Sequence, residues 1–394
     1  MTSTTQQDSP AHVLIVGAGL AGLFLGTLLE KANIPYDIYE RTAEIKPIGA
    51  IMSLAATVMP VFEQTDVYND LLKISKPAAL GTFFTDQLDV ISVVDPTRAD
   101  VLGYDRAMFT RPDLYTILYN KIPAHKIHLS QKLDSFFQDE QGVTLIFENN
   151  VNPVRGDILV GADGAHSKVR EHLYKTLEEQ GVLPKEDTKK AVKGYVSLVG
   201  TTGPLDPVKF PSLVDPDCET SFIVGDKSTP YSWSTFTIPG NRVCWSVTIQ
   251  LDASAIEKEQ SASSDWLPQE NEPLMDKLRY SRSPYGPLGV LFDATPKDQV
   301  SRVFLEDKFY ETWNHGRTVL IGDAAHKILP SSGQGAVNAI HDATILANRI
   351  YDIHPTTTFA NIRTALSDYK EERYTIVKDQ YAQSHFSAML LYGQ

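Results

Sequence analysis

Residues 12–16 (His-Val-Leu-Ile-Val) form a short apolar run that ends directly in Gly17-Ala18-Gly19-Leu20-Ala21-Gly22. An apolar helical stretch follows to about residue 31, and Tyr36-Asp37-Ile38-Tyr39 reads as a second strand closing at Glu40. Strand, tight glycine turn, helix and strand in close succession make a βαβ unit with a parallel strand pair. Runs at 157–160 and 318–321 read as further short buried strands, each entering a glycine–acid turn, and 143–147 as another strand. Residues 50–125 read as mostly helical with loops, one helix opening after Thr110 as N-cap with Pro112 at an early position. Between about 190 and 305 the texture changes. Segments 192–199, 220–224, 232–238 and 242–249 are β-rich, and Pro239-Gly240-Asn241 is a turn signal, so an antiparallel sheet is expected. Residues 252–272 are acidic and serine-rich, as in a surface helix and loop. A long helical pattern runs from Gly333-Gln334-Gly335 to about 351, and a last helical region fills 358–390.

This order predicts a mixed α/β (α+β) fold. A Rossmann-like dinucleotide-binding domain with a parallel sheet (12–80, 100–190 and 303–357) is interrupted by a substrate-binding domain with a mostly antiparallel sheet (81–99 and 191–302). Residues 1–11 read as a polar tail and 358–394 as a C-terminal helical segment. The chain has 394 residues, ample for two domains and a sizeable core. A net charge of −13 argues against nucleic acid as the main partner, because phosphate binding needs a basic footprint. No leader-like or membrane-spanning run is present, so a soluble cytoplasmic protein is expected, working as a monomer or homodimer. Cys218 and Cys244 read as free packed thiols, and no ligand spacing supports a metal site.

Gly17, Gly19 and Gly22 spell G-x-G-x-x-G. The first glycine permits the turn, the second lets backbone approach a pyrophosphate, and the third lets helix pack on strand. The pattern alone is weak. Here it follows a strand, opens a helix, and is answered 18 residues after Gly22 by Glu40, placed to accept from ribose hydroxyls. Two later segments repeat the strand–glycine–acid–helix theme: Gly161-Ala162-Asp163-Gly164, and Gly322-Asp323-Ala324-Ala325-His326 followed by Pro330 and Gly333-Gln334-Gly335. Three such turns need an extended ligand with several polar attachment points.

These motifs together resemble the FAD-dependent aromatic hydroxylases, single-component flavoprotein monooxygenases related to para-hydroxybenzoate and salicylate hydroxylases. The resemblance runs from Val13 to about Leu346. It implies FAD as cofactor, NADPH or NADH as co-substrate, O₂, and a small aromatic or otherwise electron-rich substrate hydroxylated through a flavin C4a-hydroperoxide. It implies cofactor contacts from Gly17, Gly19, Leu20, Ala21, Gly22, Glu40 and Arg41; from Arg111 in an Arg-x-x-Leu; from Asp163 and Gly164; and from Gly322 and Asp323. Pro330, Gly333, Gln334, Gly335 and Ala336 are expected along the isoalloxazine. Epoxidation and polyketide or secondary-metabolite oxygenation are alternatives within the fold; a non-catalytic flavin-binding protein is a more distant one. Tyr195, Trp233, Phe236 and Trp245 are substrate-pocket candidates by position. Strand alternation puts Trp233 and Phe236 on opposite faces. No catalytic base stands out. The family's Gly-Gln-Gly-Ala-Asn-x-Ala-x-Glu-Asp-Ala departs here to Val337-Asn338 and His341-Asp342. His341 is therefore a speculative polar group near flavin or substrate, while His326 and Arg170 are expected to be structural.

Overall fold

In the computed structural model, which describes residues 10–44, 51–96, 99–148, 150–225, 231–251, 271–355 and 357–392, two sheets face each other across the middle of the chain. The polar tail at 1–9 and nearly all of the acidic 252–272 stretch lie outside the described residues.

The first sheet is built on Val13–Val16, buried throughout because helices cover both its faces. It pairs in parallel with Tyr36–Tyr39 on one side and Ile158–Gly161 on the other. Thr318–Leu320 and Ile127–His128 extend it, and Asn314–His315 closes one edge antiparallel. The strands preceding all three glycine turns are thus immediate neighbours. Each points its C-terminal end the same way, where ligands of open parallel sheets bind.

The second sheet has ten strands. Its centre is Val192–Thr201, Arg242–Gln250, Tyr231–Ile238 and Cys218–Val224, antiparallel as the alternating pattern and the 239–241 turn predict. One face packs on a cluster that includes Trp233, Trp245, Leu288, Leu291 and Phe292. The other face is turned toward the glycine turns.

The reading of 50–125 as mostly helical is corrected. Besides helices Met59–Gln64, Tyr68–Ile74 and Arg111–Lys121, it contains strands Ile51–Leu54, Lys76–Thr85, Val90–Val94 and Ala107–Thr110, all in the large sheet. Lys76–Thr85 carries Pro77 and Gly81 and has little alternation. Its strand form is decided by pairing, antiparallel with the nearby Val90–Val94 and parallel with Cys218–Val224, far along the chain. Tertiary pairing overrides weak local propensity here.

The Gly335–Asp352 helix and the long C-terminal helix, Phe359–Tyr392, close the molecule. The latter buries Ile362, Leu366, Tyr369 and Val377 against the parallel-sheet core and ends beside the large sheet. Among the described residues no helix is long and apolar enough to cross a membrane, and none form a cluster suited to a metal ion. Both cysteines are free and buried; burial pushes the thiols up to about 11 for Cys218 and about 12 for Cys244, so neither is a ready nucleophile.

Candidate active site

The three turns converge on one cavity of about 790 Å³ between the two sheets. Gly17 sits at φ +107°, and a Cβ there would lie 2.5 Å from the Ala162 carbonyl oxygen. At Gly22 a Cβ would lie 2.0 Å from the Gly17 carbonyl oxygen. Side chains are therefore excluded where the first turn packs on the second and where helix packs on turn. At Gly19 a Cβ would only touch the Ala162 carbonyl oxygen at 3.9 Å, with the Leu20–Lys31 helix starting behind it and no side chain capping its first N–H groups. An uncapped helix N-terminus beside an open glycine turn suits an anionic phosphate group.

Glu40 is tied to this turn. Its carboxylate accepts from the Ala18 N–H at 2.9 Å and from the Thr42 N–H and hydroxyl at 3.0 and 3.1 Å. Arg41, its neighbour, is exposed. Asp163 accepts from the Lys168 and Val169 N–H groups through one oxygen, capping a helix, while its other oxygen is buried without a hydrogen-bond partner among the described residues. Burial pushes this carboxyl up, and the helix-start N–H groups offset only part of that rise.

The third turn is held from beneath. Gly322 donates its N–H to Asp342 at 2.9 Å. Asp342 also lies 2.6 Å from His326 Nε2 and accepts from Arg373 Nε at 2.8 Å, and Arg373 Nη2 reaches Asn338 Oδ1 at 2.6 Å. All four side chains are buried. Burial pushes the Asp342 carboxyl up, but His326 and Arg373 outweigh it and hold it down at about 2. Arg170 binds the second and third turns together, donating to the Ala165 and Ala324 carbonyls at 2.5 and 2.8 Å and lying over the Tyr310 ring. His326 and Arg170 are thus structural, Arg170 by bonding carbonyls rather than an acid.

The cavity lining includes Gly19, Leu20, Ala21, Arg111, Gly164, Asp323, Pro330, Gly333, Gly335 and Ala336. The Gly335–Asp352 helix opens into it with Gln334 as N-cap and no side-chain cap. Gln334 itself accepts, through its carbonyl, from the N–H and side-chain amide of Asn338. Asn338 thus points into the protein toward Arg373, and Val337 is core. His341 does not reach the cavity: it lies half-buried with Nε2 3.3 Å from Thr57 Oγ1, and burial lowers its pKa. Its proposed place near flavin or substrate is not supported by the geometry, because position 341 falls on the flank of the helix rather than its exposed N-terminal turn.

Of the four aromatic pocket candidates, Phe236 presents its ring to the cavity. Trp233 also borders the cavity, but its ring joins the cluster on the opposite face and donates its indole N–H to the Arg282 carbonyl at 2.8 Å. Trp245, on the same far face, donates to Thr295 and packs on Phe292. Tyr195 stands behind Tyr392, with ring centroids 5.0 Å apart. The strand pairing is regular, so alternation decides these sides. Pattern reading missed Ser53, Arg106, Phe83, Phe222, Leu391 and Tyr392, which also line the cavity. Arg106 donates to Ser53 at 2.9 Å beside Gly333. Leu391 and Tyr392 arrive from the end of the C-terminal helix, and no local signal marks them.

A parallel sheet with three glycine–acid turns opening into one cavity, roofed by an antiparallel sheet, defines a dinucleotide-dependent oxidoreductase. The model of the FAD binding domain family matches residues 10–192 and 291–384, more than half of the chain, and the chain belongs to that family, as an FAD-dependent monooxygenase. It is 28% identical over 397 residues to the FAD-dependent monooxygenase ausM of Aspergillus calidoustus, covering 99% of this chain and 82% of that protein. It is 29% identical over 390 residues to FAD-dependent monooxygenase ptmM of Penicillium ochrochloron, covering 95% and 87%. Coverage is lower, 91% of this chain and 72% of that protein, for terM of Tolypocladium album at 30% identity over 375 residues. Its fold is similar to that of 2,6-dihydroxypyridine-3-hydroxylase from Arthrobacter nicotinovorans (TM-score 0.79, 18% identity, 98% of this chain and 93% of that one). It is also similar to Klebsiella pneumoniae HpxO complexed with FAD and uric acid (0.78, 20%, 98% and 89%).

Proposed function

We propose that this protein uses NADPH or NADH and O₂ to place one oxygen atom into an electron-rich small molecule, the other oxygen leaving as water. The observation that carries this reading is the single cavity shared by the glycine turns and the second sheet. A cofactor held at the turns would share it with a substrate lying against the mostly apolar sheet face. The residues fit FAD. The Gly17–Gly22 turn and its helix start would hold the pyrophosphate and Glu40 the adenosine ribose. Arg111 and Asp323 would hold the ribityl–phosphate stretch, and the 330–336 segment the ring system. Bound FAD supplies the redox and oxygen-activating chemistry.

The chain's own residues orient and enclose. Phe83, Phe222, Phe236 and Leu391 give the chamber apolar walls that keep water from the reacting centre. The N–H groups that open the Gly335–Asp352 helix would favour negative charge on a ring system held there. No side chain is assigned as a base. Aromatic hydroxylation is the first reading, which the hydroxypyridine and uric acid enzymes of like fold support. Oxygenation of a larger secondary metabolite is the second reading.

The test is NAD(P)H oxidation by the purified yellow protein, with and without phenols, aromatic acids and alkenes, under ¹⁸O₂. Substrate-stimulated oxidation with one labelled oxygen in the product supports the reading. Flavin-loaded protein that oxidises no member of either pyridine nucleotide, or yields unlabelled product, refutes it.

A further inference from the structure

The cavity face of the large sheet carries a feature that flavin binding does not use. Alternation along three adjacent strands turns Ser197, Thr248, Ser246, Ser234 and Ser232 to the same side, in otherwise apolar surroundings. Ser197, Thr248 and Ser232 stand opposite one another in register, one row across three strands. Ser197 donates to the Val247 carbonyl at 3.3 Å, and its hydroxyl lies 3.0 Å from that of Thr248. In the next row, Ser234 and Ser246 satisfy each other at 2.6 Å. The Ser232 hydroxyl, at the open end of the first row, is buried and has no hydrogen-bond partner among the described residues. Buried hydroxyls are nearly always paired, because leaving one unpaired forfeits its bond to water with nothing in return.

Charge is absent from this strip. The cavity's cations stand elsewhere: Arg106 on Ser53 beside Gly333, Arg111 at the start of its helix, and Lys327 paired with Glu306 at 3.3 Å. A carboxylate set against the serine row would be desolvated without a counter-charge. A hydroxyl or carbonyl oxygen would instead be matched, since Ser232 offers both a donor and acceptor lone pairs.

We propose that the Ser197–Thr248–Ser232 row is the substrate-recognition rail of this cavity, that Ser232 bonds directly to an uncharged oxygen of the substrate, and that the substrate class is a neutral, largely apolar molecule bearing a hydroxyl or carbonyl group rather than an aromatic acid. This rests on the reading of the cavity as the oxygenation site.

The test uses the FAD-loaded protein without reductant and three probes of one shape: naphthalene, 2-naphthol and 2-naphthoate, titrated by calorimetry. 2-Naphthol binds about tenfold more tightly than either of the others, as one hydrogen bond to a buried group allows. Ser232→Ala weakens 2-naphthol about five- to tenfold and leaves naphthalene within about twofold. Without ligand, Ser232→Ala leaves the thermal midpoint unchanged or raises it, because it removes an unpaired hydroxyl, whereas Ser234→Ala lowers it. Tightest binding by 2-naphthoate overturns the proposal. So does equal binding of 2-naphthol and naphthalene, including no measurable binding of either, or a preference that survives in Ser232→Ala. Because no turnover is needed, the binding preference is read apart from the labelled product, so loss of the preference fails this proposal while absence of oxygenated product fails the reading it rests on.

Discussion

Arg373→Met tests whether the C-terminal helix positions the flavin-facing turn. Arg373 and Asp342 are 3% and 0% exposed, and the guanidinium is shared between Asp342 and Asn338. Methionine keeps most of the stem's packing, so the change is chiefly the lost charge and hydrogen bonds. Asp342 would retain His326 and the Gly322 N–H, but would lose the partner that offsets its burial. Breaking one side of a buried pair costs about 3–5 kcal/mol. That loss is expected in urea unfolding of the FAD-loaded protein. Because Asp342 also fixes the Gly322 N–H, the Kd for FAD, followed by flavin fluorescence, should rise about tenfold, equivalent to about 1.4 kcal/mol. Arg373→Lys keeps the charge but not the planar fork, and should fall between. Combining Arg373→Met with Asp342→Asn should cost less than the two single changes together by about 2 kcal/mol, since no charge is then stranded. A loss under about 1 kcal/mol in Arg373→Met would show that the pair contributes little. A full loss of stability with an unchanged Kd would show that it does not act through the turn.

The same network sets an acid limit. The Asp342 carboxyl is held at about 2, below its ordinary 3.8, so its contribution of about 2 kcal/mol is fully present above about pH 4. It fades as pH falls toward 2, and urea titrations across that window should show a shallower decline in Arg373→Met than in the wild type. Gly22→Ala places a Cβ against the Gly17 carbonyl. The backbone has nowhere to yield, and the purified protein should carry little flavin; a normal flavin-to-protein absorbance ratio would contradict this. Glu40→Ala frees the Ala18 N–H and the 40–42 loop and should weaken FAD about tenfold in the same fluorescence titration, with an unchanged Kd counting against the role. His341→Ala should alter unfolding free energy by no more than about 0.5 kcal/mol and leave oxygenated product yield intact; a large drop in yield with normal flavin content would return His341 to the site.

The legible part of this protein is the part whose chemistry is local. A turn that only glycine can make, a helix that starts directly after it, and an acid closing the next strand are each specified within a few residues. They could therefore be read at Gly17–Gly22, Gly161–Gly164 and Gly322–Asp323 before any contact was known. The 239–241 hairpin and the sidedness of Trp233 against Phe236 were legible for the same reason, because alternation is a local rule. Arg373 and Tyr392 carry no such signal. One lies mid-helix and the other at a helix end, and each matters only because a 34-residue helix delivers it to a site built by other segments. Lys76–Thr85 became a strand, against the helical reading, because it pairs with Val90–Val94 on one side and with a partner strand more than 130 residues away on the other. The serine row exists only once three strands are set in register, since no one of them holds more than one of its members. Glycine turns and alternation are properties of short stretches of backbone, and sequence determines them. Which distant side chains meet across a cavity depends on the packing of whole elements, and only the tertiary structure decides that.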